Sequence, residues 1–446
     1  MGKLFGTDGI RGKANQDPIT PEMAVKIGRA VVSYCKKRAL PPCTVVGRDT
    51  RASGRMLEHG FFSGALSEGG SVYALGEIPT PAVAYFTGEL SGSTGLVISA
   101  SHNPHDYNGF KFFGRDGFKF AQADEGEIEA LILEENKSPG RGETGKVVRV
   151  EAVKERYSEF LARSLPEGVL FNRVRIVIDC ANGAAYRAAP ELFDRLGLSF
   201  EVLFAEPDGR NINLGCGSQH PETLRARVLD SGADAGFAFD GDGDRLVAVD
   251  EKGRVLTGDQ LLGIFAKMLK QRKALRNNLV VCTVMSNMGL RYALEREGIS
   301  QVITDVGDRS VAKAMLDRNA NLGGEGSGHI IFHDYHTTGD GLLSAVQLLR
   351  SMVQFDMPLS ELATWVTLFP QVIKNVPVNR KPELSSIPEI VKNIREVESR
   401  LGGKGRVLVR YSGTEPLCRV MVEGEEKEEV ESYAEEIADT VRRELK

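Results

Sequence analysis

At 446 residues the chain is too long for one hydrophobic core, and two to four domains are expected. Apolar content of 41% and charged content of 26% fit an ordinary globular protein, and a net charge of -5 leaves no basic face for nucleic acid or an acidic membrane. There is no apolar run of about 18 residues and no signal-peptide core at the start, so a cytoplasmic protein is expected, with neither nucleic acid nor membrane as partner.

The first chemistry-bearing stretch is Phe5-Gly6-Thr7-Asp8-Gly9-Ile10-Arg11-Gly12, a glycine-punctuated turn that carries Arg11. Thr20 and Pro21 then open a helix as N-cap and first helical residue. Met23, Ile27, Ala30, Val31 and Tyr34 form its apolar face, and Lys36, Lys37 and Arg38 complement its dipole. A strand at 44–47 leads into a polar loop and a helix. The same strand, loop and helix pattern recurs at 174–184 and at 279–289, which predicts three similar α/β units. The six scattered cysteines (Cys35, Cys43, Cys180, Cys216, Cys282 and Cys418) read as buried, reduced thiols.

Residues 95–98 read as a buried strand that stops at Ser99-Ala100-Ser101-His102-Asn103-Pro104 and presents the Ser101 hydroxyl. A polar strand-end turn is the plain alternative. Adjacent side chains on extended backbone point apart, so Ser101 and His102 do not make a hydrolase pair. Lys111 follows nearby and could act as a general acid or base if burial lowered its pKa. A second apolar run at 235–239 ends in Asp240-Gly241-Asp242-Gly243-Asp244-Arg245. Asp240, Asp242, Asp244 and Glu251 match calcium-loop spacing, but Arg245 stands where that loop needs glycine and the flanks read as strands. Three hard oxygen ligands suit Mg²⁺ better, with Arg245 placed to meet a phosphoryl group.

Gly324-Glu325-Gly326-Ser327-Gly328-His329 offers an acceptor, a hydroxyl and an imidazole suited to a sugar. Boundaries are expected at 134–145 and 370–388. The C-terminal part is read as beginning with a strand at 406–409, with a second at 419–422. Between them Arg410-Tyr411-Ser412-Gly413-Thr414-Glu415-Pro416 offers an Arg fork, two hydroxyls and backbone N–H groups suited to a phosphate dianion, with Arg419 close enough to add a second charge; a polar hairpin turn is the plain alternative. A final helix buries Val430, Tyr433, Ile437, Val441 and Leu445.

In order and spacing, these five motifs resemble the α-D-phosphohexomutase superfamily across nearly the whole chain. The residues 5–12, 306–309 and 337–341 are most similar to its glucosamine branch. The resemblance implies a four-domain α/β architecture around a central cleft: three similar mixed-sheet domains (1–150, 151–252 and 253–368) and a smaller α+β domain (369–446). It implies that Ser101 is a phosphoserine whose phosphate joins Asp240, Asp242 and Asp244 on Mg²⁺, with Lys111, Arg11, Arg245 and His329 beside the transferring group. Glu325 and Ser327 would read the sugar, while Arg410, Ser412, Gly413, Thr414 and Arg419 would hold the distal phosphate. The implied reaction interconverts glucosamine 6-phosphate and glucosamine 1-phosphate through a 1,6-bisphosphate; a homodimer is the family expectation. Gly326 and Tyr411 depart from the usual motifs, and Gly326 weakens the choice of glucosamine over glucose or mannose. A phosphomannomutase or phosphoglucomutase of the same superfamily is the nearest alternative. A metal-dependent phosphatase and a non-catalytic metal-binding protein are the alternatives from other classes.

Overall fold

A computed structural model describes residues 4–6, 8–134, 143–171, 173–412 and 416–446. The chain divides into two compact units, one formed by Met1–Met285 and Gly298–Trp365, the other by Ser286–Glu297 and Val366–Lys446.

The larger unit holds three sheets. The first contains β1 (Ile10–Lys13), β2 (Cys43–Arg48), β3 (Ser71–Glu77), β4 (Thr94–Ile98), β5 (Tyr107–Gly114) and β6 (Val147–Arg149), in the spatial order β1-β5-β4-β2-β3-β6. The second contains β7 (Arg175–Asp179), β8 (Ser199–Leu203), β9 (Ala235–Phe239), β10 (Leu246–Asp250) and β11 (Val255–Leu256), ordered β11-β10-β9-β7-β8. The third contains β12 (Leu279–Thr283), β13 (Ser300–Thr304), β14 (Leu322–Gly324) and β15 (Ile330–Phe332), ordered β13-β12-β14-β15.

The three sheets share one plan. Each contains a trio whose first strand in the chain (β2, β7 or β12) lies between two parallel neighbours and whose third strand continues through a short loop into an antiparallel partner. The trios are β4-β2-β3, β9-β7-β8 and β14-β12-β13. Their antiparallel partners are β5, β10 and β15. The three chemistry-bearing loops therefore occupy the same topological place: the Ser101 loop joins β4 to β5, the aspartate loop joins β9 to β10, and the Glu325 turn joins β14 to β15. All sit at the carboxyl ends of parallel strands, where open α/β sheets bind ligands.

Fully buried Val, Ile, Leu and Phe side chains make β4 and β9 continuous apolar runs, as strands covered on both faces require. Ile27, Val31, Phe61, Leu96 and Phe110 lie in one core of the first sheet. Thr20 caps the helix Pro21–Lys37 by accepting the Met23 N–H at 3.2 Å, as its sequence predicts.

The smaller unit has an antiparallel sheet of β16 (Gln371–Pro377), β17 (Arg406–Tyr411) and β18 (Leu417–Glu423), with β18 central. The helices Pro388–Leu401 and Lys427–Leu445 contribute Ile390, Val397, Val430, Ile437 and Val441 to its core. Residues 370–388 are thus not a bare linker. Their alternating burial supplies an edge strand, and the C-terminal part begins there instead of at 406. Within the expected boundary at 134–145, residues 135–142 lie outside the described residues. No disulfide joins the cysteines among the described residues, and Cys43 alone among them is half-buried, the others being buried. No described helix is long and apolar enough to cross a membrane.

Candidate active site

The Ser101 Oγ donates to Asp240 Oδ2 at 2.6 Å, joining residues 139 positions apart. Both side chains are buried. Ser101 adopts left-handed backbone (φ +52°), a conformation uncommon for a residue with a side chain. That turn also corrects the expectation for His102. On extended backbone the two side chains would diverge, but here His102 Nδ1 comes to 3.4 Å from Ser101 Oγ. Burial, with Arg245 and Arg11 nearby, pushes His102 down to about 4, so its imidazole is neutral.

Asp240, Asp242 and Asp244 each offer one carboxylate oxygen within 4.8 Å of the others. Their loop is held from outside by three helix starts. The carbonyls of Gly241, Asp242 and Gly243 accept the N–H groups of Ala184 (2.8 Å), Thr80 (2.8 Å) and Gly341 (3.0 Å), which stand at the N-terminal ends of three different helices. Otherwise orphaned helix donors are thereby satisfied, and the carboxylates remain turned inward. Gly243 supplies the left-handed backbone this path needs (φ +71°).

Asp242 Oδ1 and Asp244 Oδ1 are buried and have no hydrogen-bond partner among the described residues. Buried carboxylate oxygens left over in a cluster of three hard ligands fit a divalent cation such as Mg²⁺. Burial and the neighbouring Asp244 and Asp242 raise Asp240 well above the usual carboxylate range. For Asp244, burial works in the same upward direction, but Lys111, His329 and Arg245 outweigh it and hold the group well below that range.

Lys111, also buried, places Nζ 2.7 Å from Asp242 Oδ2, 3.5 Å from Asp244 Oδ2 and 3.4 Å from Asp8 Oδ2. Burial alone would lower its pKa. Asp242, Asp8 and Asp244 more than offset that and raise it. The sequence-based idea of a lysine whose pKa burial lowers is therefore replaced by a fixed ammonium. Arg11 pairs with Asp8, and the Arg245 N–H donates to Asp240 Oδ1 at 3.2 Å. The Nε atoms of both arginines are buried without a hydrogen-bond partner among the described residues.

His329 lies with Nδ1 3.6 Å from Asp244 Oδ2 and Nε2 3.7 Å from Asp308 Oδ2. Burial opposes protonation, but the two carboxylates prevail and its pKa is raised. Glu325 Oε1 accepts the Gly307 N–H at 3.0 Å, and Ser327 is exposed on the same turn. Hydrogen bonds from Leu246 N–H to Gly328 O and from Gly258 N–H to Gly326 O staple that turn to the second sheet and the helix that follows it. Glu325 also adds to the carboxylates that raise Arg245.

The larger unit thus brings together Ser101, Lys111, Arg11, Arg245, His329, Glu325 and the three aspartates. In the smaller unit, Arg410 and Arg419 are direct cross-strand partners on β17 and β18. Burial and then Arg419 lower the pKa of Arg410, whose Nε has no hydrogen-bond partner among the described residues. Two cations side by side form a natural anion seat. Ser412 is buried at the end of β17, and Gly413 and Thr414 lie outside the described residues.

Sequence reasoning missed Asp8, Lys119, Asp308 and Thr80. Lys119 bridges Asp8 Oδ1 (2.6 Å) and Asp308, closing an alternating circuit of Asp244, His329, Asp308, Lys119, Asp8 and Lys111. Thr80 Oγ1 donates to Asp242 Oδ2 at 2.6 Å. Asp8 and Asp308 stand inside motifs already noted, whereas nothing in the sequence near Lys119 marks it. A cavity of about 900 Å³ is bordered by Lys119, Asp308 and His329 together with Phe118 and Phe120, room enough for a phosphosugar.

Three like α/β sheets that offer corresponding loops, with a smaller fourth sheet in its own unit, define the phosphohexomutase class of isomerases. The chain belongs to the phosphoglucomutase/phosphomannomutase family, whose α/β/α domains I, II and III match residues 2–139, 155–253 and 257–368 and whose C-terminal domain matches residues 373–440. The phosphoglucosamine mutase of Syntrophus aciditrophicus is 51% identical to it, with both chains covered in full. That of Chlamydia trachomatis serovar A is 47% identical over 99% of this chain and 97% of the relative. Among solved structures, a phosphoglucomutase/phosphomannomutase family protein from Burkholderia thailandensis superposes with a TM-score of 0.81 at 25% identity, covering 98% of this chain and 96% of that one. An N-acetylphosphoglucosamine mutase from Aspergillus fumigatus, solved with GlcNAc-6P and magnesium, shares the fold with a TM-score of 0.72 at 18% identity, covering 99% and 95%.

Proposed function

We propose that this enzyme interconverts glucosamine 6-phosphate and glucosamine 1-phosphate, with Ser101 as the residue that carries the phosphoryl group. The observation that supports it best is the 2.6 Å approach of the Ser101 hydroxyl to a buried aspartate triad that has carboxylate oxygens to spare. Names of full-length relatives near 50% identity supply the amino sugar.

In the forward half-reaction the bond between Ser101 Oγ and phosphorus breaks as the free sugar hydroxyl bonds to phosphorus; the hydroxyl's proton leaves to a neighbouring base, and the leaving Ser101 Oγ takes up a proton to become the free hydroxyl. A glucosamine 1,6-bisphosphate results. After the sugar turns end for end, its other phosphoryl group returns to Ser101. Arg11, Lys111 and Arg245 hold fixed positive charge where the equatorial oxygens gain negative charge, which favours the transition state in a water-poor site. Asp240, Asp242 and Asp244 would hold Mg²⁺, which when bound neutralises phosphoryl charge. Glu325 and Ser327 would accept from and donate to sugar hydroxyls, with His329 beside them. Arg410, Ser412, Gly413, Thr414 and Arg419 would seat the distal phosphate. One fixed seat serves both orientations, since either phosphate can fill it.

Charge bookkeeping agrees with this cargo. The carboxylates of Asp8, Asp242, Asp244 and Asp308 are matched by ion pairs from Arg11, Lys111, Lys119 and Arg245. A divalent cation and a phosphoserine dianion leave that balance unchanged. Boundaries at 150, 252 and 368 would separate the four domains, each contributing one loop. Cysteines without a disulfide among the described residues suit a cytoplasmic enzyme, and association of two copies is the family expectation.

Steady-state assays with glucosamine, glucose and mannose 1-phosphates test the reading. Preference for the amino sugar, with no net release of inorganic phosphate, is expected. A glucose or mannose preference moves the assignment to those mutases, and steady phosphate release moves it to a phosphatase.

A further inference from the structure

Ser101 is held in its left-handed turn by more bonds than a surface turn needs. Its N–H donates to Ser99 Oγ at 2.9 Å, and the Ser99 hydroxyl donates to Asp49 Oδ2 at 2.6 Å. Its carbonyl accepts from Arg51 Nη2 at 2.8 Å and from Asn213 Nδ2 at 2.9 Å. Arg51 is itself paired to Asp49 at 2.8 Å with both side chains fully buried, and it reaches Asn103 O at 2.8 Å. Asn213 reaches the same Asn103 carbonyl at 3.1 Å. Since both of its partners are carbonyls, the NH₂ end of the Asn213 carboxamide must face them.

The two clamps come from different sheets. Arg51 follows β2 of the first sheet, whereas Asn213 lies in the loop that follows β8 of the second, the sheet that carries the aspartates. The Asn213 N–H is tied to Ala181 O at 2.9 Å, beyond the end of β7. Gly241, within the aspartate loop, leaves room for this arrangement: a Cβ there would lie 2.6 Å from Ser101 O and 2.8 Å from Asn213 Nδ2. Asn213 therefore ties the Ser101 loop to the second sheet, close beside Gly241 of the aspartate loop.

We propose that Asn213 is a positioning residue for phosphoryl transfer, fixing the Ser101 carbonyl so that Oγ stays aimed at the aspartate triad. The proposal rests on Ser101 being the phosphoryl carrier. Loss of the clamp lets the loop relax from a strained backbone, and displacement of a reacting atom by about 1 Å costs on the order of 100-fold in rate.

Asn213 itself has left-handed backbone (φ +59°), which Gly adopts freely and Asp tolerates. Asn213→Gly removes the carboxamide without backbone strain, and Asn213→Asp keeps its shape but turns an acceptor toward two carbonyls. The expected result is a kcat lowered about 10- to 100-fold in the glycine variant and further in the aspartate variant. KM for the sugar phosphate should stay within about twofold, and melting temperatures within a few degrees of the parent. A purely structural asparagine predicts instead that kcat per folded molecule is unchanged in both variants, which would overturn the proposal. Ser101→Ala runs alongside. If it is inactive while both Asn213 variants turn over normally, the positioning role alone fails; if Ser101→Ala is active, the serine-carrier reading fails first.

Discussion

The ammonium of Lys111 and the carboxylate of Asp242 meet at 2.7 Å with both side chains almost wholly buried, 131 residues apart in sequence. Removing one partner of such a pair leaves an uncompensated buried charge, which costs about 3–5 kcal/mol. Lys111→Met should therefore lower the melting temperature as well as turnover. Because the variant leaves the carboxylates short of a cation, added Mg²⁺ should raise its melting temperature more than the parent's. Thermal melts with and without Mg²⁺ measure this, and equal shifts in both proteins would count against a shared site.

The spare oxygens of Asp242 and Asp244 make a second expectation quantitative. Asp244→Asn removes a charged ligand while keeping its shape. Mg²⁺ affinity by calorimetry should fall roughly tenfold or more, since even outer contacts of metal sites carry that much. Chelator treatment should abolish turnover, and Mg²⁺ should restore it.

Arg410 and Arg419 make a third case. A charge-assisted hydrogen bond contributes about 1.5–3 kcal/mol, so Arg410→Ala should raise KM for the sugar phosphate by roughly 10- to 150-fold. Inorganic phosphate should then inhibit the variant less than the parent. Unchanged KM and phosphate inhibition would remove Arg410 from the seat.

A pH dependence follows from His336, which is buried, accepts the Thr337 N–H at 2.8 Å and contacts Pro81 O at 3.0 Å. Burial is the first cause that pushes its pKa down, to about 4. An unfolded histidine titrates near 6.5, so between those values the unfolded chain binds more protons and stability rises with pH. The contribution is intact above about 6.5 and is lost as pH falls toward 4. The loss amounts to roughly 2 kcal/mol by about pH 5. His336→Asn should lose correspondingly less stability than the parent between about pH 7 and pH 5, as read from urea unfolding midpoints.

Much of this architecture is legible in local sequence because strand ends and loops carry local signals. The run at 235–239 is β9 to the residue, and the alternating aspartates and glycines after it do turn their carboxylates together. Val430, Ile437, Val441 and Leu445 are buried on the last helix as their spacing predicts, with Tyr433 half-buried. The strand β16 was hidden because Pro370 and Pro377 bracket it and read as punctuation. Lys119 and Asn213 were hidden for a different reason. Each acts through partners more than 100 residues away, so no spacing rule along the chain can reveal it. The acidity of Lys111 was likewise out of reach, because the carboxylates that set it come from two other segments.

A phosphoserine mutase keeps its phosphoryl group on one serine between turnovers. Protein labelled with radioactive phosphate, digested and mapped, should carry one label, on Ser101. In a single turnover with glucosamine 6-phosphate that label should pass into the sugar bisphosphate at a rate no slower than kcat. Label found on another residue, or released from Ser101 only as inorganic phosphate in the presence of the sugar, would contradict Ser101 as the carrier.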